Sequence, residues 1–491
     1  MITEVVTARH LIGGQWVGGG ETFESHSTSD GSVLCRAPIA DAELVDRAVT
    51  AARLAFDESD WKDRRAADRA SVLLELGRRL DEVAPDIARL VAAEMGKPYR
   101  LALDREVRGA ADKFRYFAGA ARAIEGEVTG ASPAHLLDIT VPHPIGVCAL
   151  IVPWNDPVDL AVRKLGAALA AGCTAVVKPS EETPASTEAL MRLFDDVPGL
   201  PPGVVNLVHG PGSPTGAALV AHPLVAKVSF TGSTATGRRI MAAAAGTLKR
   251  VSLECGGKAP CLVFADCDRE KALDALSWGA FLYGGQSCTA ATRIVVERSI
   301  HDEFVEALVA RAEALPTGDP LDPATLIGPL VSARHVARVR EFLDTVKPDG
   351  GTIVTGGTID GLHVAPTVIT GLAPDARIAT QEVFGPVVCV FPADSEDEAI
   401  ALANGVRYGL GASVWTSDIS RALRVGRRLE AGDVWINTHY VRQTETPFGG
   451  WKESGVGREL GMAGIREYVA FKRLAFDTLP EFHLKTWWQG G

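Results

Sequence analysis

VAKVSFTGSTATG, residues 225–237, is the stretch that decides the fold. Its first half is an apolar run of strand length, and Gly232 and Ser233 begin a turn that leads into a predicted helix from Arg238 onward. Such a turn places free backbone N–H groups at a helix N-terminus, where the helix dipole also favours an anion such as phosphate. The stretch therefore predicts a phosphate-binding turn in an α/β sheet. The spacing from Gly232 to Gly237 is not G-x-G-x-x-G, however, and an ordinary capped turn fits the same residues.

Similar apolar runs surround this stretch, at residues 146–152, 174–177 and 204–208, with helical patterns between them. Continuous apolar runs are typical of parallel strands that are buried on both faces. The alternation predicts a doubly wound α/β domain. A second alternating region, 258–451, predicts another α/β domain. Residues 127–141 and the tail after Tyr468 are predicted to form a small projecting sheet.

Composition restricts the class of protein. The chain has 491 residues, 46 % of them hydrophobic, a net charge of −11 and eight cysteines without a C-x-x-C pair. The acidic balance argues against nucleic acid or an anionic membrane as the main partner. Unclustered cysteines predict a reducing compartment and give no support to a zinc or other metal site. The first residues lack a signal-peptide pattern and no apolar run reaches the length of a membrane span, so the predicted location is the cytoplasm.

Cys288 and Glu254 are the candidate chemical residues. Cys288 follows Gly284-Gly285, and the residues after it are predicted to begin a helix, whose N-terminus would lower the thiol pKa and favour a nucleophilic thiolate. Glu254 precedes Gly256-Gly257 and is a candidate base. A buried structural thiol and an ordinary turn carboxylate are the alternatives.

Three further segments suit a nucleotide and a carbonyl substrate. Lys178, Ser180 and Glu181 follow a predicted strand, where nucleotides bind in open α/β sheets. Residues 381–386, QEVFGP, offer a carboxylate and an aromatic face for a ribose and a nicotinamide ring. The side-chain amide of Asn155, after another strand, is placed to donate to a developing oxyanion, although an isolated Asn more often makes a turn.

Five motifs in this order resemble the signature set of the NAD(P)-dependent aldehyde dehydrogenase superfamily. The resemblance covers nearly the whole chain, and the motifs are residues 230–233 (FTGS), 253–258 (LECGGK), 285–288 (GQSC), 382–386 (EVFGP) and 447–455 (PFGGWKESG).

The resemblance implies a reaction and roles for the residues. Cys288 attacks the aldehyde carbon, Asn155 and the Cys288 backbone N–H hold the oxyanion, and Glu254 activates the water that releases the carboxylic acid. Lys164 and Glu459 match positions proposed for proton relay. The presence of Glu254 favours the hydrolytic branch over the CoA-acylating branch. A member that binds NAD without turnover is the other alternative.

The implied cofactor is NAD, since Glu181 would repel a 2′-phosphate. NADP stays open if Glu181 swings away and Lys178 and Ser180 take the phosphate. The predicted cofactor contacts are Trp154, Lys178, Ser180, Glu181, Gly232, Ser233, Gly237, Glu382 and Phe384.

The resemblance also implies an aldehyde-dehydrogenase-like α/β fold with a Rossmann-type cofactor domain. The predicted division is a cofactor domain of 1–120 and 143–253, a catalytic domain of 254–452, and an oligomerisation element of 121–142 and 468–491. The expected assembly is a homodimer or homotetramer.

Four charged residues depart from the family pattern in the implied substrate tunnel: Asp156, Asp159, Arg163 and Arg442. Buried charges must be paired or wet. We therefore expect a polar or charged small-molecule aldehyde, with the arginines holding a carboxylate or the aspartates an amine. If all four pair internally, the tunnel is narrowed instead.

Overall fold

A computed structural model of the chain describes residues 4–479, and its central feature is a mixed sheet of eight strands, here called the first sheet. Five of its strands are parallel and follow the spatial order 3-2-1-4-5 counted along the chain. In that spatial order they are Val205–Leu207, Thr174–Lys178, Val147–Ile151, Val225–Thr231 and Arg250–Glu254. The predicted doubly wound α/β arrangement is confirmed.

Antiparallel strands extend the first sheet at both edges. The hairpin His10–Ile12 and Gln15–Val17 joins beside Val205–Leu207, and Gly455–Val456 pairs with Arg250–Glu254. The end of the motif at residues 447–455 is thereby joined to the first sheet, beside the strand that ends at Glu254.

The second sheet has seven strands and contains most of the later apolar runs. Six strands are parallel, and Thr352–Thr355 is an antiparallel edge. The parallel strands, in spatial order, are Thr367–Thr370, Val387–Ala393, Arg293–Glu297, Pro260–Val263, Gly411–Trp415 and Asp433–Ile436.

Smaller sheets lie outside these two. Leu136–Pro144 and Val469–Asp477 pair along their whole length as an antiparallel ribbon, which confirms the projecting sheet within the described residues. The last part of the predicted oligomerisation element, residues 480–491, lies outside the described residues. Further strands are Val6–Thr7, Thr22–His26, Val33–Pro38, Ile359–Asp360, His363–Val364, Tyr408–Gly409 and Trp451–Lys452.

Helices cover both sheets, and most of the long ones have one buried face, as their amphipathic patterns predict. In the described residues, no helix combines the length and the apolarity needed to cross a bilayer. The helices are Ala42–Glu58, Ala66–Met95, Tyr99–Leu101, Arg108–Ala121, Pro157–Ala171, Pro184–Arg192, Ala217–Ala221, Thr234–Ala245, Arg269–Phe281, His301–Glu313, Ala333–Leu343, Arg377–Thr380, Glu396–Asn404, Ile419–Arg428 and Gly461–Arg466.

The helix Pro157–Ala171 differs from the others because all of its residues are buried. It nevertheless carries Asp159, Arg163 and Lys164, which are charged groups that burial makes costly unless they are partnered. Each of them forms an ion pair. This helix starts directly after Asn155 and Asp156, so it fixes the predicted site residues to the core.

Candidate active site

A cleft of about 340 Å³ opens at the point where the strand order of the first sheet reverses. The neighbouring strands Val147–Ile151 and Val225–Thr231 lie on either side of this point. Trp154 and Asn155 follow one of them, and Gly232 and Ser233 follow the other. Open α/β sheets bind ligands at such a switch point.

Most of the predicted site residues line this cleft. They are Trp154, Asn155, Asp156, Arg163, Gly232, Ser233, Glu254, Cys288, Glu382, Phe384, Arg442 and Glu459. Lys164, Asp159, Lys178, Ser180, Glu181 and Gly237 are not among its lining residues. The first sheet contributes residues after its strands, whereas Cys288, Glu382 and Phe384 precede strands of the second sheet.

Cys288 lies in a turn rather than before a helix. The chain passes from this turn into the strand Arg293–Glu297, so the predicted helix after Cys288 is wrong. The apolar, β-branched run that follows favours a strand and leaves no room for a helical turn. Without that helix dipole, burial raises the pKa of the Cys288 thiol to about 11, and the nearby Arg442 guanidinium acts in the opposite direction.

The backbone beside Cys288 is closely packed. A Cβ on Gly257 would lie 2.1 Å from the carbonyl oxygen of Cys288, and one on Gly285 would lie 2.1 Å from the carbonyl oxygen of Gly385. Neither position has space for a side chain. Gly257 and Gly285, from two different motifs, therefore allow the close packing that fixes the position of the Cys288 thiol.

Asn155 and Glu254 reach the same cleft as Cys288. Asn155 is 6 % exposed and its Nδ2 donates to Asp156 Oδ2 at 3.3 Å. Glu254 ends a strand, and neither of its carboxylate oxygens has a hydrogen-bond partner among the described residues. Burial, followed by the neighbouring Glu459 carboxylate, raises the pKa of Glu254 well above its ordinary value.

Lys164 lies behind the cleft wall. Its Nζ donates to Thr231 Oγ1 at 2.8 Å and to Ser229 Oγ at 3.3 Å, and it contacts the Glu459 carboxylate. Glu459 lines the cleft, so this pair connects the buried helix to the chemical site.

Aromatic rings and a carboxylate form the other end of the cleft. The Trp154 ring lies 5.3 Å from the rings of both Phe384 and His335. Glu382 Oε1 accepts from the backbone N–H of Gly257 at 2.9 Å, and burial raises the pKa of Glu382 to about 7. His335 was not predicted from the sequence, because a lone His on an amphipathic helix carries no motif.

Comparison with known proteins identifies the family. The family model described as "Aldehyde dehydrogenase family" matches residues 16–474. The chain belongs to the aldehyde dehydrogenase family.

Three relatives illustrate the similarity. The putative aldehyde dehydrogenase DhaS of Bacillus subtilis is 38 % identical over 95 % of this chain and 95 % of its own. The 2-hydroxymuconic semialdehyde dehydrogenase of Pseudomonas sp. is 41 % identical over 95 % of this chain and 98 % of its own. A crystal structure of a betaine aldehyde dehydrogenase point mutant of Staphylococcus aureus, in complex with NAD+ and with a BME-modified cysteine, has a TM-score of 0.95 and 36 % identity, with 98 % of each chain covered.

The remaining predicted cofactor residues of this aldehyde dehydrogenase lie next to the cleft. Lys178 Nζ is 3.8 Å from Glu181 Oε2, and burial lowers the pKa of Lys178 to about 8. The neighbouring Glu182 lines the cleft and forms a 2.8 Å ion pair with Arg334.

Ser233 and Gly237 have local structural roles in the turn of the aldehyde dehydrogenase. Ser233 caps the helix Thr234–Ala245 by accepting from the backbone N–H of Thr236 at 3.3 Å. A Cβ on Gly237 would lie 2.7 Å from Cys255 Sγ, so this glycine permits close packing of helix against strand.

A second cavity of about 380 Å³ in this aldehyde dehydrogenase adjoins the cleft. Asp156, Arg163 and Arg442 line both cavities, and Asp159 lines the second. The structure therefore brings all four predicted tunnel residues together. Arg105, Lys113, Tyr283 and Tyr440 also line the second cavity.

The tunnel charges of the aldehyde dehydrogenase are unevenly paired. Asp159 forms ion pairs with Arg163 at 2.6 Å and Lys113 at 2.7 Å, and together these cations outweigh its burial and lower its pKa. Asp156 Oδ1 lies 2.6 Å from the buried Nζ of Lys97. Arg442 forms no ion pair with any carboxylate in the described part of the chain.

Arg442 is held by other contacts. It donates to Thr289 Oγ1, and its guanidinium lies 4.6 Å from the ring centroid of Phe448 and 4.9 Å from that of Tyr440. Its Nε has no hydrogen-bond partner among residues 4–479. The predicted tunnel therefore contains a cation that is held in place but has no carboxylate in direct contact among the described residues.

Proposed function

We propose that this aldehyde dehydrogenase oxidises an aldehyde to a carboxylic acid through a covalent adduct on Cys288, with NAD as its cofactor. The observation that carries the proposal is that Cys288, Asn155 and Glu254, from three separate motifs, line one cleft of about 340 Å³. A nucleophile, an amide donor and a base in one cleft are the groups that acyl chemistry requires.

The other end of the cleft fits NAD. The capped helix after Gly232 and Ser233 suits a pyrophosphate, Glu382 offers a carboxylate to a ribose, and Trp154 and Phe384 offer aromatic faces. The Staphylococcus aureus relative was crystallised with NAD+, which supports the assignment. NAD, when bound, supplies a hydride acceptor. Lys178, Ser180, Glu181 and Gly237 are kept as proposed cofactor-side residues.

The residues of the chain then perform the remaining chemistry. The Cys288 thiolate adds to the aldehyde carbon, and the charge that develops on the aldehyde oxygen is held by Asn155 Nδ2 and the Cys288 backbone N–H. This adduct would become a Cys288 thioester when its hydride is lost to bound NAD. Glu254 takes a proton from a water molecule that attacks the thioester, so that the thiolate leaves and the acid is released. Lys164 and Glu459 are proposed to pass that proton onward.

The tunnel favours an aldehyde that carries a carboxylate. Asp159 and Asp156 are already bound to cations, so they are poor sites for a substrate amine. Arg442 has no carboxylate partner among the described residues, and Arg–carboxylate contacts are strong and directional. The name of the Pseudomonas relative, a semialdehyde dehydrogenase, agrees with this choice.

NADH formation tests the proposed function. The protein should reduce NAD with an aldehyde in the absence of CoA, and Cys288→Ala should abolish this activity. Dependence on CoA would favour the acylating branch, and NAD binding without any turnover over a broad aldehyde panel would favour a binding protein. A parallel series with NADP measures the cofactor preference.

The projecting ribbon is the proposed interface between copies of the chain. Phe471 and Phe476 are 51 % and 49 % exposed, and Leu137 on the partner strand is 47 % exposed. Exposed apolar side chains on a sheet mark an interaction surface. Sedimentation analysis should show a dimer or tetramer, and Phe471→Glu should shift it toward the monomer.

A cytoplasmic location is also proposed. It rests on the eight cysteines, all of which are free thiols. Fractionation of cells that express the intact protein tests it.

A further inference from the structure

A buried lysine lies beside the proposed oxyanion site and belongs to none of the motifs. Lys97 is fully buried, and its Nζ contacts the carboxylates of Glu106 and Asp156, the latter at 2.6 Å. The Tyr283 ring centroid is 4.7 Å from the same Nζ. A buried cation needs such partners.

Asp156 connects this lysine to Asn155. One carboxylate oxygen, Oδ1, binds Lys97, and the other, Oδ2, accepts from Asn155 Nδ2 at 3.3 Å. Asp156 immediately precedes the helix Pro157–Ala171 but its side chain does not cap it. Glu106 accepts from the N–H of Val158 at 3.0 Å instead, which leaves Asp156 free for the amide.

This geometry restricts the orientation of the amide. An Asn side chain has two N–H donors, and the one that Asp156 holds sets the direction of the other. Donors that stabilise an oxyanion must be oriented before the charge develops. A carboxylate this close to the oxyanion would also repel it, and the Lys97 cation offsets that repulsion.

We propose that Lys97 and Asp156 are positioning residues. Asp156 orients the Asn155 amide toward the oxyanion, and Lys97, which also contacts Glu106, offsets the Asp156 charge there. The inference rests on the proposed function, because it assumes that Asn155 stabilises the oxyanion. It gives Asp156 a role within the site in place of direct contact with substrate.

Conservative and non-conservative variants of Asp156 test the proposal. Single-turnover NADH formation is measured with NAD-saturated enzyme and propanal, which carries no charge for the tunnel to recognise. Asp156→Ala should slow this step about tenfold, well short of the roughly 100- to 1000-fold cost of removing an oxyanion donor outright. Asp156→Asn keeps an acceptor for Asn155 and should stay within about threefold of the wild type. Equal rates for Asp156→Ala and the wild type would overturn the proposal, as would equal slowing by both variants.

Variants of Lys97 provide a second test of the proposal. Lys97→Met leaves Asp156 uncompensated and should slow the step by on the order of tenfold, and adding Asp156→Asn should restore most of the rate. A double variant no faster than Lys97→Met would contradict the charge argument. Lys249→Met is the matched control. Lys249 is a buried lysine whose hydrogen bonds within residues 4–479 go to the backbone carbonyls of Val220 and His222, and it lies outside the cleft lining.

Two measurements separate the possible failures. The NAD dissociation constant and the melting temperature show whether a variant has lost its fold or its cofactor site. If both values match the wild type, neither loss explains a difference in rate between Asp156→Ala and Asp156→Asn. Asn155→Ala tests the underlying assumption. If that variant keeps the wild-type single-turnover rate, the proposed oxyanion role fails, whatever the Asp156 variants show.

Discussion

Arg442→Met should remove the proposed preference of the enzyme for aldehydes that carry a carboxylate over uncharged aldehydes. Methionine has a similar length and keeps apolar contact with Phe448 and Tyr440, but it removes the guanidinium. The Arg442 Nε has no partner in the described part of the protein, so a substrate carboxylate is expected to gain at least one charged hydrogen bond there. Such a bond contributes about 1.5–3 kcal/mol.

The assay compares succinic semialdehyde with butanal, which differ by the carboxylate. The lost bond corresponds to a roughly 10- to 150-fold fall in kcat/KM for the semialdehyde. The fall for butanal should be much smaller, since Arg442 then acts only by lowering the pKa of the Cys288 thiol. Arg442→Lys, which keeps the charge without the planar fork, should lie between the two. Equal falls for both aldehydes would refute the carboxylate site.

Three further outcomes follow from the same geometry. Glu254→Gln should retain a burst of about one NADH per active site and then turn over slowly, and full steady-state turnover in this variant would exclude Glu254 as the base. In the wild type, deacylation should accelerate as the pH rises through the raised pKa of Glu254. Alkylation of Cys288 by iodoacetamide in the free enzyme, followed by mass spectrometry, should accelerate about tenfold per pH unit between pH 7 and 9, because the thiol pKa is about 11 and only the thiolate reacts. A rate that reaches a plateau below pH 9 would contradict this. Gly257→Ala should abolish aldehyde oxidation, because its Cβ would lie 2.1 Å from the Cys288 carbonyl oxygen. Gly130→Ala is the control and should keep the activity, because open space surrounds Gly130. An active Gly257→Ala enzyme would show that the Cys288 turn can move.

Much of the fold follows from short stretches of sequence. The apolar runs at 146–152 and 225–230 lie in strands of the first sheet, and the run after Tyr468 lies in the projecting ribbon. These runs are predictable because strand formation and burial on both faces depend on local composition. The turn after Cys288 was predicted wrongly, since a few small residues do not distinguish a helix start from the approach to a strand.

The site was predictable to a different degree in its different parts. Cys288, Asn155 and Glu254 belong to motifs, and the structure brings them to one cleft. His335 and Lys97 carry no motif, and their contacts with Trp154 and Asp156 appear only when segments distant in sequence pack together.

The sequence by itself determined the α/β class, the family and the groups available for chemistry, because strand runs, glycine turns and motif residues are properties of neighbouring positions. Only the tertiary structure decided which charges are neutralised. Lys97 and Asp156 are 59 positions apart and form an ion pair, whereas Arg442 forms no direct ion pair with a carboxylate among the described residues. Ion pairing depends on distances between atoms that chain folding alone establishes, and the proposed substrate preference depends on that pairing.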